Sequence, residues 1–429
     1  MSSRISGPKG APDLLPPDSR RHEEIISAAI RAFRLWGFHR IDTPVFESTE
    51  LFERGLAAAS DIVTKEMYTF KDKGGRSLTL RPDMTAPVLR ATLEHGLDRK
   101  GLPVKLYYVS PIFRHERPQA GRYRQFWQAG VEVLGSPGPG VDAEVIGLAA
   151  EVYSQLGLTG VTLKLNSIGH PECRALYLPL LLDYLNAHEA ELCSDCRRKL
   201  HANPLRTFDC KVPEDRKVME NAPVIVDHLC VECKEHYEAV KLLLTTINVE
   251  FVEDPTLVRG LDYYTRTAFE FVAEGLGSQD AVGAGGRYDG LSEQIGGPSL
   301  PGIGFGLGVE RIALAIEQLT PEDATLRPQP LDVFVVSVGA PAQKPAFELV
   351  TKLRREGISA DLDHSGRAIK GQFKMADRSG ARWAVVIGEK ELAGSVYTLK
   401  DMQTGDETSV PAIQLVRQLR QSSASAVSS

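Results

Sequence analysis

The chain has 429 residues, 42% hydrophobic and 25% charged, with a formal net charge of −6, which fits a globular protein of two or three domains. The negative balance excludes bulk electrostatic attraction to nucleic acid, so such a partner needs local basic patches. A membrane-spanning helix, a signal peptide and a secreted disulfide framework are also excluded: no run of about 18 apolar residues occurs, the N-terminus has no apolar run, and the six cysteines are few and mostly clustered, as in a reducing cytoplasm.

In chain order, the first predicted element is a helix over residues 19–36, with Ile26, Ile30 and Phe33 on one face, Asp18 or Ser19 as cap and Gly37 as stop. Residues 38–47 read as a strand that Pro44 breaks, the mark of a sheet edge or a subunit contact. Two antiparallel strands are predicted over residues 105–116 and 123–134, joined by a polar loop at 117–121. Alternation puts Arg114 and Glu116 on one face, and Phe126, Gln128, Gly130 and Glu132 on one face of the partner strand. Such a face is a binding floor, and Trp127 points the other way into packing.

Residues 170–250 carry the cysteines and helical spacing, and read as a separate helical insertion. Strands resume at 265–273, and residues 281–311 are dense in glycine and end in a helix. A Pro-rich linker at 320–330 precedes alternating strands (331–338, 358–362, 382–387) and helices (342–355, 366–378), a small α/β domain with a mostly parallel sheet. The expected division is 1–325, 331–420 and a disordered Ser-rich tail at 421–429.

Glycines at 302, 304, 306 and 308 clear one face of a strand, so that a flat ring or a phosphate can lie on the backbone; close packing against a helix is the other reading. Arg311 follows at the start of the next helix, where a phosphate meets a guanidinium fork and helix-terminal N–H groups. The spacing is neither a Rossmann fingerprint nor a Walker A loop.

These stretches together resemble the class II aminoacyl-tRNA synthetases. The strand ending at Pro44 resembles their motif 1, Phe113-Arg114-His115-Glu116 their motif 2, and the glycine strand with Glu310-Arg311 their motif 3. Leu257-Val258-Arg259-Gly260-Leu261-Asp262-Tyr263-Tyr264-Thr265-Arg266 and Ala284-Gly285-Gly286-Arg287-Tyr288-Asp289-Gly290-Leu291 resemble the two signatures peculiar to histidyl-tRNA synthetases, and the likeness runs from about residue 8 to 420. Implied is a mixed α/β catalytic domain on an antiparallel sheet flanked by helices, a helical insertion and a C-terminal anticodon-binding domain. The implied reaction is ATP-dependent formation of histidyl-adenylate, then transfer to the 3′ end of tRNA(His), with Mg2+ and a homodimer formed through motif 1.

By the same resemblance Arg114 holds the α-phosphate, Arg311 the γ-phosphate, and Arg259 lies beside the reacting carboxylate. Phe126 stacks on adenine and Glu116 contacts its amino group. Asp83, Thr85 and Gln128 hold the α-amino group of histidine, while Glu132, Tyr264 and Tyr288 surround the imidazole with Tyr263 close by. Asp83 stands where many bacterial members carry glutamate, one methylene longer. Arg117, Gln119 and Arg122 meet the tRNA acceptor end. Arg287 and Asp289 either pair to shape the glycine loop or touch substrate.

Cys193-x-x-Cys196 and Cys230-x-x-Cys233 have the spacing of a structural zinc site, with Cys210, His201 and His236 nearby; buried reduced thiols are the alternative. In the last domain Arg367, Lys370, Lys374, Arg378 and Arg382 recur at steps of three or four, a solvated face or a stripe that tracks tRNA phosphates. A non-catalytic relative, the regulatory subunit of ATP phosphoribosyltransferase, is the competing family member. It typically lacks the last domain and loses parts of the signatures that this chain keeps.

Overall fold

The computed structural model of the protein describes residues 5–56, 62–258, 263–276, 280–319 and 331–427. The chain divides into two compact units, Met1–Ala324 and Thr325–Ser429. Among the described residues no helix is long and apolar enough to cross a membrane.

Helix α1 (Asp18–Leu35) buries Ile25, Ala29, Ala32 and Phe33 along one stripe, with Ile26 and Ile30 partly buried at its flank. Its N-terminus has no side-chain cap, contrary to the expected role of Asp18 or Ser19; Pro17 occupies that position. Gly37 turns the chain with a φ of +80°, open to glycine without a Cβ penalty. The strand expected over 38–47 is two short ones, β1 (His39–Arg40) and β2 (Phe46–Ser48), in different sheets. Pro44 separates them, since proline gives no N–H to a ladder. Helix α2 (Thr49–Gly55), strands β3 (Tyr68–Lys71) and β4 (Ser77–Leu80) and helix α3 (Thr85–Glu94) follow, with β2, β4 and β3 paired in that order.

Strands β5 (Val104–Phe113) and β6 (Gln125–Leu134) form the long antiparallel hairpin. Both stop short of the expected limits, so Arg114 and Glu116 sit in the connecting loop rather than on a strand face. Then come α4 (Pro139–Gln155), β7 (Val161–Ser167), α5 (Pro171–Ala187), α6 (Ser194–Ala202), α7 (Pro213–Met219), α8 (Val231–Thr246) and β8 (Val252–Glu253). The unit closes with β9 (Thr265–Ala273), β10 (Ala281–Arg287), α9 (Leu291–Gln294), β11 (Gly302–Gly308) and α10 (Val309–Leu319).

Eight strands form the main sheet in the order β1-β5-β6-β11-β10-β9-β7-β8. It is antiparallel except at its two edges, where β1 pairs with β5 and β7 with β8 in parallel. Alternation gives the sheet two unlike faces. Tyr107, Val131, Phe305 and Phe269 belong to one large core with α1, α4, α8 and α10. Their neighbours Glu132, Gly304, Gly286 and Ala268 lie in register on the opposite face.

The insertion is only partly separate. Tyr177, Leu181, Leu192, Cys196 and Cys210 build a small core of its own, while Tyr237, Val240 and Leu244 of α8 enter the main core.

Arg287 is the largest side chain sealed in this unit, with 0% exposure. It points from β10 toward the helical face and pairs with Asp142 of α4. Asp142 also accepts from His236 Nε2 of α8 at 2.8 Å and Thr267 Oγ1 of β9 at 2.5 Å. Burial opposes ionisation of Asp142, but the His236 hydrogen bond and the Arg287 guanidinium outweigh it and hold the carboxyl below its usual range. Arg287 also donates to Asp289 Oδ1 at 2.9 Å, so this pair shapes the turn after β10.

In the second unit β12 (Val333–Ser337), α11 (Ala340–Arg355), β13 (Ala360–Leu362), α12 (Ile369–Arg378) and β14 (Trp383–Ile387) follow the expected alternation. Helix α13 (Glu389–Gly394) and two further strands, β15 (Val396–Asp401) and β16 (Glu407–Pro411), then extend the sheet in antiparallel fashion, in the order β13-β12-β14-β15-β16. The sheet is therefore mixed rather than mostly parallel. Helix α14 (Leu415–Val427) continues into the stretch expected to be disordered. Leu415 and Leu419 anchor its first turns in the core, and adding residues to an existing helix is easier than nucleating one.

Replacing Asp142 by alanine leaves Arg287 buried without its carboxylate, and the expected loss is about 3–5 kcal/mol in urea unfolding. An unchanged midpoint would show that the pair does not hold these layers together.

Candidate active site

A pocket opens on the face of the main sheet away from the large helical core. The glycines of β11 form part of its floor because of their register with β6: Gly304 lies beside Glu132, Gly306 beside Gly130 and Gly308 beside Gln128. A Cβ on Gly304 would stand 1.9 Å from Glu132 Oε2, so no side chain fits there. Of the two sequence readings of these glycines, the cleared floor holds; Gly304 and Gly306 face Glu132 and Gln128 of β6, Gly302 faces the Tyr288 ring, and Gly308 faces Arg311 at the start of α10.

At one end of the pocket lie the cations. Arg114 Nε donates to the Pro82 carbonyl at 2.9 Å, and its guanidinium carbon stands 5.5 Å from the centre of the Phe126 ring. Arg311 Nε donates to the Gly121 carbonyl at 3.1 Å and Nη1 to the Ala281 carbonyl at 2.9 Å, which ties α10 to the hairpin loop and to β10. Burial, then the charges of Arg122 and Arg114, lower the pKa of Arg311 from its ordinary value. Glu116 pairs with Arg122 rather than with Arg114. Arg122 thus lines the pocket, whereas Arg117 and Gln119 are exposed in the loop. Nearby, both carboxylate oxygens of Glu310 accept from the Trp127 N–H at 2.9 and 3.0 Å; burial pushes this carboxyl up to about 7. Trp127 itself packs against the helical core, on the side opposite Phe126.

The other end is built from buried carboxyls and tyrosines. Asp83 Oδ2 accepts from the Thr85 N–H at 2.9 Å and from the Ala86 N–H at 3.4 Å, at the start of α3. Burial raises its pKa while the charge of Arg114 opposes the rise. Thr85 Oγ1 donates to Glu132 Oε1 at 2.8 Å, and Tyr288 OH donates to Glu132 Oε2. Burial pushes Glu132 up to about 8, against the hydrogen bond from Tyr288 and with help from the charge of Asp83. Glu132 is 1% exposed and Tyr288 2%, so they sit sealed beneath the pocket end instead of lining it. Tyr264 does line it, and Tyr263 lies behind with its ring 4.6 Å from Tyr264 and 5.9 Å from Tyr288.

The pocket therefore gathers Asp83, Thr85, Arg114, Glu116, Phe126 and Gln128 with Tyr264 and Arg311. Arg259 lies outside the described residues. Sequence reasoning missed Tyr108 and Glu270, which also line it. Both had a signal: each sits on the face-parity of the floor, Tyr108 opposite Gly130 and Glu270 as a charge inside an apolar strand.

The cysteines do not form the single site expected from Cys193, Cys196, Cys230 and Cys233. They fall into two clusters, one with His170, Cys173, Cys230 and Cys233, the other with Cys193, Cys196, Cys210 and Asp215. His236 is engaged with Asp142, and the side chain of His201 lies outside the described residues.

In the second unit, exposed Lys370, Lys374 and Arg378 follow one face of α12 at steps of four. Arg367 precedes the helix and pairs with Asp363, and Arg382 lies against the Trp383 ring at 5.7 Å, so the stripe is shorter than the spacing predicted. A groove beside it runs along the carboxyl ends of β12 and β13, where open α/β sheets bind ligands, and carries exposed Phe347 and His364.

Residues 10–312 match the family model described as histidyl-tRNA synthetase, and residues 332–422 match the anticodon binding domain. The chain is 48% identical to a histidine–tRNA ligase of Halothermothrix orenii over 97% of this chain and 99% of that one. It is 49% identical to the one of Desulforudis audaxviator over 97% and 98%. Its fold is similar to that of apo histidyl-tRNA synthetase of S. aureus, with a TM-score of 0.80 and 40% identity over 97% of this chain and 100% of that one.

A carboxyl whose folded pKa is about 8 keeps its proton while the unfolded chain loses it above about 4.5, so the contribution of Glu132 to stability falls as pH rises between these values. Glu132→Gln is expected to flatten the fall of the unfolding free energy from urea titrations with pH across that window, by up to about 1.4 kcal/mol per pH unit. Parallel profiles for the two proteins would place the Glu132 pKa in the ordinary range.

Proposed function

This chain belongs to the histidyl-tRNA synthetase family and is a histidine–tRNA ligase, and from that premise we propose how its residues divide the reaction. It is not the regulatory relative: the nearly full-length kinship is with ligases, and a match to the anticodon binding domain follows the catalytic one. The reaction activates histidine with ATP and then charges tRNA. Attack of the histidine carboxylate on the α-phosphorus forms histidyl-adenylate and releases pyrophosphate. The terminal ribose hydroxyl of tRNA then attacks the activated carbonyl and releases AMP. Both steps need alignment and positive charge more than a covalent nucleophile.

One observation carries the assignment: a single pocket has arginines at one end and buried carboxyls at the other. Arg114 takes the α-phosphate and Arg311 the γ-phosphate, with adenine against Phe126 and its amino group toward Glu116. Glu116 has to exchange Arg122 for this contact. Arg259 is assigned to the reacting carboxylate by family resemblance. Magnesium bound with ATP would supply charge neutralisation on the phosphates, and Glu270 would offer the oxygen ligands it prefers.

Asp83, Thr85 and Gln128 take the α-amino group of histidine. Asp83 already spends one oxygen on α3, leaving Oδ1 for the substrate. Glu132, Tyr264 and Tyr288, with Tyr263 behind, select the imidazole. For an imidazole to reach Glu132, the Tyr288 and Thr85 hydrogen bonds around it must rearrange. A site that hydrogen-bonds a ring N–H rejects apolar side chains of similar size by about 10⁴–10⁵, which removes the need for editing.

The exposed Arg117 and Gln119, with Arg122, face the tRNA acceptor end, and the second unit reads the anticodon region with the α12 stripe on phosphates. Exposed Phe46 and Phe70 on the small sheet that follows β1, with Val45 just before it, support a homodimer through this face. The free thiols of all six cysteines support a reducing, cytoplasmic setting.

Histidine alone among the twenty amino acids is expected to drive exchange of labelled pyrophosphate into ATP; exchange with none would overturn the assignment. Arg311→Ala is expected to lower that exchange by about 10²–10³-fold. Lys370→Ala combined with Lys374→Ala should leave exchange intact and raise the KM for tRNA in charging. Sedimentation should give a dimer that Phe46→Glu weakens, and a monomeric parent protein would remove the proposed interface.

A further inference from the structure

The histidine and ATP pocket uses none of the six cysteines, yet the fold gathers all six with one histidine and one aspartate into two separate tetrads. We propose that the insertion holds two structural zinc ions per chain, one on His170, Cys173, Cys230 and Cys233 and the other on Cys193, Cys196, Cys210 and Asp215.

The geometry is that of closed four-ligand sites. Within each tetrad the donor atoms all lie within 4.8 Å of one another. Tetrahedral zinc with Zn–S bonds near 2.3 Å spaces its sulfurs roughly 3.8 Å apart, so binding needs only a small contraction. Cys193 Sγ and Cys210 Sγ already stand 4.0 Å apart, and Cys210 Sγ lies 3.1 Å from Asp215 Oδ2. In the other tetrad Cys230 Sγ is 3.6 Å from His170 Nε2.

Backbone support is the same in both. Cys193 and Cys230 are the N-caps of α6 and α8, and each sulfur accepts the N–H of the second cysteine of its pair, Cys196 and Cys233, at 3.4 Å. The Cys173 sulfur accepts the Cys230 N–H at 3.3 Å, and Asp215 Oδ1 accepts the Cys193 N–H at 2.9 Å. Helix N-termini and N–H donors stabilise thiolates, the form that binds metal. Three thiolates per site favour zinc over magnesium or calcium, and four protein ligands leave no open position for catalysis.

The two sites have different work. The Cys3Asp site lies in the small core of the insertion, where Cys196 and Cys210 are buried. The Cys3His site joins the starts of α5 and α8. Beside it, the Ile168 and Arg266 N–H groups donate to the Arg266 and Gly169 carbonyls, which fastens the insertion to β9. Helix α8 also carries His236, which bonds Asp142 and so reaches Arg287, the neighbour of Tyr288.

The test is a metal count on the full chain purified under reducing, chelator-free conditions. Elemental analysis is expected to give two zinc per chain, with Cys196→Ser and Cys233→Ser each keeping one and the double variant none. Cobalt(II) added to the stripped, reduced parent protein should develop tetrahedral thiolate bands that saturate at two equivalents. That count stands even where a serine variant fails to fold. Reduced folded protein that takes up neither metal, or a parent chain that holds one equivalent which each variant loses entirely, would overturn the two-site assignment; so would disulfides that persist in reductant.

Discussion

A charge sealed away from water needs a partner, and Arg287 finds Asp142 on the helix across the sheet. Around that pair meet α4, α8, β9 and β10, through Asp142, His236, Thr267 and Arg287. Strand alternation then does the rest. With Arg287 fixed on the helical side, Tyr288 has to face the pocket side, where its hydroxyl meets Glu132. The carboxyl and tyrosine end of the pocket is thus set from behind by an ion pair on the opposite face of the sheet.

The floor follows from the same alternation. Along β6 the residues at odd positions enter the large core, and those at even positions carry Gln128, Gly130 and Glu132. Glycines on β11 leave room for those side chains, and Gly304 is the tightest case. The result is a pocket with two chemically different ends. Buried carboxyls with raised pKa values lie under one end, and arginines held by backbone carbonyls line the other.

The insertion joins this plan chiefly through α8 and the backbone hydrogen bonds to β9, while its other helices close around their own small core. A core of that size gains from cross-links that hold its short helices in place. The cysteine clusters lie at the points where those helices start, which ties their placement to the insertion's architecture rather than to the pocket.

By itself the sequence determined the first helix, the long hairpin with Phe126, Gln128, Gly130 and Glu132 on one face, the cleared face of the glycine strand and the strand–helix alternation of the second unit through β14. These are local properties: strand and helix periods, proline and glycine backbone limits, and motif spacing. It also carried the family resemblance, through several short motifs in the right order. Only the tertiary structure decided which side chains meet. Glu116 pairs with Arg122 and not Arg114, because both strands end before the loop. The cysteines form two tetrads because His170, Cys173 and Asp215, outside the two paired motifs, come close only when α5, α7 and α8 pack. Strands β15 and β16 and the continuation of α14 likewise depend on neighbours that offer a ladder edge or an anchoring core. Pairings between residues far apart in the chain follow from the packing of whole elements, and no local period encodes them.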